Sequence, residues 1–158
     1  MPICALPWAD GTFDAALCEC TLSLLGAPER CLSELWRALK PGGTLLLCDL
    51  VGGAAAPERM LLSPDGAVRF LATRAWTERA LAAAGFRALR YVDCREEYLT
   101  MAAQMLFDGD CGCIGPAAFA ALRAQRAGYG MWLLKRCAQK KVCAVVAAAG
   151  LSSLMGAF

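Results

Sequence analysis

The stretch Leu6–Leu50, LPWADGTFDAALCECTLSLLGAPERCLSELWRALKPGGTLLLCDL, decides the fold. Asp10-Gly11 is a turn signal. Phe13–Cys20, FDAALCEC, is a short apolar run of the kind that forms a buried parallel strand, although periodicity alone leaves a helix start open. Pro28 suits a first-turn helical position. In ERCLSELWRALK, Cys31, Leu32, Leu35, Trp36 and Leu39 recur at helical spacing and make one apolar stripe. Pro41-Gly42-Gly43 stops that helix, and Thr44–Val51 reads as a second strand. Two buried strands around one amphipathic helix predict a right-handed βαβ unit. Open α/β sheets place their ligands at the carboxyl ends of such strands, here Cys18-Glu19-Cys20 and Asp49.

Outward from this unit, Gly52–Ala56 is small and flexible, and residues 57–72 carry no decisive pattern. Thr73–Ala84 is a predicted helix stopped by Gly85, followed by a strand over Phe86–Val92. Glu96–Phe107 and Pro116–Ala127 read as helices, and Gly128–Cys137, GYGMWLLKRC, as a last strand. The end of the sequence, Val142–Phe158, is seventeen uncharged residues rich in Ala, preceded by Lys135, Arg136, Lys140 and Lys141. That is the lower limit for a spanning helix and only weakly apolar, so a packing or interface role is expected rather than a membrane one. The domain reading is one half-domain over residues 1–138 and an apolar tail over 139–158.

Composition narrows the function classes. The 158 residues carry a net charge of +2, and the 16 basic residues are scattered, which argues against a nucleic-acid surface. Ten cysteines accompany no histidine. The opening residues, MPICALPWADG, show neither a basic n-region nor an apolar h-region, so a cytoplasmic location with reduced thiols is expected. Without histidine there is no Ser-His-Asp triad, no Cys-His pair and no His-ligated zinc.

The blocks quoted above resemble the second half of a class I S-adenosylmethionine-dependent methyltransferase of the methyltransferase type 11 sort. That family shows an LPF-x-D-x-x-FD loop and strand, an E-x-x-R-x-LKPGG helix end, and a strand closed by Asp. The matching positions are Leu6, Pro7, Trp8, Asp10, Phe13, Asp14, Glu34, Arg37, Leu39, Lys40, Pro41, Gly42 and Gly43, with Asp49 at the strand end. Ala82–Phe86 and GYGMWLLKRC fit the next helix-to-strand junction and the final antiparallel strand, so the resemblance spans about residues 5–137.

The resemblance implies an α/β fold: a partial Rossmann-like methyltransferase sheet made of the family's strands four, five, seven and six, with flanking helices. It implies S-adenosylmethionine as cofactor and a small molecule as methyl acceptor. Cys18, Glu19 and Cys20 would lie at the cofactor and Asp49 in the substrate crevice; no catalytic residue is singled out. The family's first three strands, their Gly-rich turn and the ribose-gripping acid have no counterpart in this sequence, and Pro2 stands where an adenine-holding Asp is expected. A truncated gene product, inactive alone, is the expectation. The alternatives are a non-catalytic half-domain or scaffold completed by a partner chain, or a thiol-based metal or metalloid binder. In each case the open edge of strand 13–20, apolar and without Lys or Pro, predicts self-association or a complementing chain.

Individual motifs carry bland readings beside the functional ones. Cys18 and Cys20, two apart in a strand, would share one face and could bind a soft metal, but buried free Cys is usually a small apolar filler. Glu19 at an apolar strand end needs a partner or water. Cys111-Gly112-Cys113 is only a weak metal signal, and no metal site is predicted. Asp14 lies at the end away from the ligand and should fix the start of the strand. Glu34 and Arg37, at i,i+3, read as a loop-anchoring ion pair. Tyr91, Tyr98 and Trp132 are expected core aromatics.

Overall fold

The computed structural model describes residues 5–62, 68–109 and 116–139. A four-stranded mixed sheet forms the centre, with strands β1 (Phe13–Glu19), β2 (Leu39–Val51), β6 (Gly128–Arg136) and β5 (Phe86–Asp93) in that spatial order. β1 and β2 are parallel, joined by helix α1 (Pro28–Ala38); β6 runs antiparallel to both β2 and β5. This is the order expected for strands four, five, seven and six, with β6, the last described strand, inserted between β2 and β5.

The elements follow from local chemistry. α1 ends at Ala38 because Pro41 lacks an N–H, its ring would strike the carbonyl of Arg37, and it forces Lys40 into an extended conformation. β2 therefore begins at Leu39 rather than at Thr44, and it carries Pro41-Gly42-Gly43 within it. The pairing absorbs the extra residues between Phe13↔Leu39 and Ala15↔Thr44 as an irregularity in which Gly42 has φ +76°. Thr73 caps helix α2 (Arg74–Ala84) by accepting from the Trp76 N–H, and Gly85, at φ +99°, closes it. Residues 57–72 do contain regular structure: a small hairpin-like sheet of β3 (Arg59–Leu61) and β4 (Phe70–Ala72).

The two sides of the central sheet differ. Leu45, Leu47, Trp132 and Leu134 face α1 and α2 and join Leu32, Leu35, Leu81 and Phe86 in the main core. The alternate positions Leu46, Met131 and Leu133 are only half-buried, and Leu17 on β1 is 63% exposed. Buried and half-buried residues alternate along β6, as in a sheet covered on one side. Helices α3 (Arg95–Phe107) and α4 (Pro116–Ala124) leave and rejoin the sheet between β5 and β6, and a second small core gathers Val68, Leu71, Leu122 and Ala127.

The N-terminal loop is tied down as its residues imply. The Arg37 guanidinium donates to Glu34, to Asp10 Oδ1 at 2.7 Å, and to the carbonyls of Leu6 and Trp8, while the Leu6 N–H donates to Glu34. Lys40 pairs with Asp14 at 2.8 Å, which fixes the start of β1. Trp132 is fully buried and Tyr98 nearly so, whereas Tyr91 is half-buried. Cys111, Cys113 and the tail Val142–Phe158 lie outside the described residues.

Candidate functional site

The carboxyl ends of β1 and β2, the end of β5 and the start of β6 meet along one edge of the sheet, because β6 is antiparallel and pairs Val51 with Gly128 and Leu50 with Tyr129. Glu19 from β1, Cys20 just after it, Asp49 from β2, Cys94 after β5 and Tyr129 from β6 are thereby brought to this edge.

Cys18 and Cys20 do not share a face, contrary to the strand-periodicity expectation. β1 ends at Glu19, and Cys20 turns into the left-handed region at φ +46°, which reverses the alternation. Cys18 is buried in the main core, where the thiol of Cys31 on α1 hydrogen-bonds it and lowers its pKa against the opposing effect of burial. Cys20 is exposed and lies 3.1 Å from the Tyr129 hydroxyl. A non-glycine residue held at positive φ costs about 1–3 kcal/mol and is found where surrounding structure over-determines it. Here the Cys20 N–H donates to the Cys48 carbonyl and its side chain meets Tyr129. Glu19 is exposed at the strand end.

Burial raises the Tyr129 hydroxyl pKa strongly, with the Cys20 contact adding to it; burial also raises Cys48 and Cys94. These groups are therefore protonated at neutral pH. They are hydrogen-bond donors and wall, not bases or nucleophiles. Cys18, Cys48 and Cys94 are free thiols, whereas Cys137 is disulfide-bonded, which departs from the all-reduced expectation. Among the described residues no three of Cys, Asp, Glu or His converge to hold a metal ion.

Asp49 is 3% exposed. Its carboxylate accepts from the Ser23 N–H at 3.2 Å and from the Leu50 N–H at 2.7 Å, which holds the short 3₁₀ turn Leu22–Leu24 against the strand end. Burial raises its pKa, with those hydrogen bonds opposing. The unfolded chain keeps the ordinary carboxyl value, so between the two values the folded state binds more protons. Stability should fall as pH rises through that window, no more steeply than about 1.4 kcal/mol per pH unit, the limit for one proton. Glu34, lowered by the hydrogen bond from Arg37, contributes with the opposite sign. Urea unfolding of wild type and Asp49→Asn across the acidic range is expected to show this downward segment in wild type and its loss in the variant. An identical pH profile for the two would contradict the assignment.

Sequence reasoning missed Tyr129, Cys48 and Cys94. Tyr129 and Cys20 are 109 residues apart and meet only through the β2–β6 register, which no local pattern encodes.

Comparisons with known proteins agree with this architecture. Residues 1–47 match the methyltransferase domain family. An arsenite methyltransferase of Halobacterium salinarum is 30% identical over 87 residues, which are 53% of this chain and 22% of that protein. Among solved structures, the cyclase SpnF superposes with a TM-score of 0.66 at 24% identity, covering 88% of this chain and 55% of its own. The Haemonchus contortus phosphoethanolamine N-methyltransferase 2, solved with phosphomonomethylethanolamine and S-adenosylhomocysteine, gives 0.62 at 14% identity, covering 86% and 36%. The chain thus spans about a fifth of the curated relative and about half or less of these two structures.

Proposed function

We propose that this chain is a class I methyltransferase half-domain that supplies the acceptor side of an S-adenosylmethionine-dependent methyl-transfer site. Residues 1–138 form the half-domain in this reading, and residues 139–158 stand apart as a tail. The observation that carries it is the strand order β1-β2-β6-β5 with β6 antiparallel, joined to the family match over residues 1–47.

The residues at the carboxyl edge fit part of that cofactor. Glu19 offers an exposed carboxylate to the ammonium of its amino-acid end, and Cys20 with Tyr129 forms a fixed polar rim beside it. The Gly-rich turn that would meet its methionine end and the acid that would grip its ribose have no counterpart in this sequence. When bound, S-adenosylmethionine supplies an electrophilic methyl group. What this chain contributes is orientation: Asp49 holds the 3₁₀ turn behind the strand ends, and Cys20 is locked by its bonds to Cys48 and Tyr129. Positioning of this kind can account for several orders of magnitude in rate. Fold alone does not dictate the reaction, as the likeness to a cyclase illustrates.

Among the described residues β1 is an edge strand with Leu17 exposed; the family's first strands, a second copy or a complementing chain would cover that flank. Among the described residues no helix is long and apolar enough to cross a membrane.

Calorimetric titration with S-adenosylhomocysteine tests the reading. The chain alone is expected to give no binding up to about 1 mM ligand, and the chain joined to a Gly-rich amino-terminal half to bind in the micromolar range. Failure of the joined protein to bind would sink the proposal.

A further inference from the structure

The excursion between β5 and β6 builds a feature that the carboxyl-edge residues do not use. α3 and α4 enclose a cleft of about 340 Å³, within the usual range for small-molecule sites. Its walls are apolar, with Leu99, Leu106 and Leu122 among them. Three arginines, Arg95, Arg123 and Arg126, also line it, and among the described residues no carboxylate does. Arg95 is fixed: its Nη1 donates to the Arg126 carbonyl. Arg126 stands at φ +49°, where it closes α4 while the Ala127 N–H returns to the Leu122 carbonyl at 2.9 Å. Arg123 and Arg126 are exposed, and Leu99 and Leu106 remain about half-exposed at 48% and 49%.

We infer that this cleft binds an amphipathic anion, a molecule with an apolar body of roughly ten carbons and a phosphate or carboxylate head, with the body between α3 and α4 and the head among the arginines. An apolar cavity alone would select no charge. Three lining arginines with no competing carboxylate among the described residues select an anion, and Arg recognises carboxylate and phosphate through paired hydrogen bonds. Because α3 starts where β5 reaches the carboxyl edge and α4 returns there to β6, the ligand is the methyl acceptor of the proposed reaction; that last identification rests on the proposed function.

The test is binding by this chain without S-adenosylmethionine, so its outcome is independent of methyl transfer. Decyl phosphate below its micelle concentration, decanol and inorganic phosphate are titrated in turn. Decyl phosphate is expected to bind at least about tenfold more tightly than decanol, the equivalent of one charge-assisted hydrogen bond, and phosphate alone more weakly still. Arg123→Glu should abolish that preference and Arg123→Lys retain part of it. Ala103→Phe, at an exposed position lining the cleft, should weaken decyl phosphate by about tenfold or more. Equal binding of decanol and decyl phosphate, or binding untouched by Ala103→Phe in a folded variant, would overturn the inference. Binding without methyl transfer by the completed enzyme would support the cleft and count against the methyl-transfer reading.

Discussion

Trp132→Ala is expected to destabilise the chain by about 3–5 kcal/mol, the range for deleting a large buried aromatic. Trp132 is fully buried at the centre of the sheet, opposite Leu47 on β2 and Tyr91 on β5, with its ring 5.0 Å from that of Tyr91. The room it occupies is shaped by Gly130: a Cβ there would come within 2.9 Å of Trp132, Tyr91 and Val51 side chains. Alanine at 132 would leave a void bounded by two strands that cannot move together without breaking their ladders, so relaxation is limited. The indole Nε1 has no hydrogen-bond partner among the described residues, so the side chain acts through packing alone. Trp132→Phe, which removes that unpaired N–H while keeping much of the volume, should lose less than half as much. Urea unfolding monitored by far-ultraviolet circular dichroism measures both. A loss below about 1 kcal/mol for Trp132→Ala would show that the sheet centre is not packed as described.

Gly43→Ala is expected to cost about 1–3 kcal/mol by overpacking, through the backbone rather than through side chains. A Cβ at Gly43 would lie 2.8 Å from the Lys40 carbonyl oxygen and 3.1 Å from that of Asp14, and main-chain atoms cannot rotate away. The collision falls where β1 and β2 change register, so the variant should loosen the pairing around Ala15↔Thr44. Its neighbour behaves differently. Gly42 has open space for a side chain but sits at φ +76°, so Gly42→Ala should cost about 1–2 kcal/mol in conformational strain without disturbing the strand pair. Hydrogen exchange separates the two: amides of β1 and the first half of β2 should exchange faster in Gly43→Ala and at wild-type rates in Gly42→Ala. Equal exchange in both variants would contradict the distinction.

These two glycines show why the Pro41-Gly42-Gly43 block was legible in sequence. Each of its residues answers a steric demand that only that residue type meets: an end to α1, a positive φ, and a close main-chain approach. The stripe Cys31, Leu32, Leu35 on α1 and the run around Trp132 on β6 were legible because their burial follows a period. β3 and β4 were not, because three residues are too few to show one and they stabilise each other across an intervening loop. The left-handed turn at Cys20 was invisible for a different reason. Cysteine carries no signal for positive φ, and the contact that holds it comes from Tyr129, near the far end of the chain. The structure puts Glu19 and Cys20 at the end of β1 but Cys18 in the core, because the direction of these side chains depends on a long-range register. The cleft between α3 and α4 likewise needed the structure, since Arg95 and Arg123 lie on separate helices with unremarkable patterns of their own.

The sheet order also bears on how the polypeptide matures. β2 pairs on one flank with β1, made shortly before it, and on the other with β6; Thr44 and Lys135, which face each other across that ladder, are 91 residues apart. On a ribosome, the flank of β2 that takes β6 stays bare until nearly the whole described chain has emerged. Such distant pairing makes for slow, late-committing folding and prolonged exposure of Leu46 and Leu47 to unwanted strands. Yield in cells should accordingly respond to translation speed and to holdase supply.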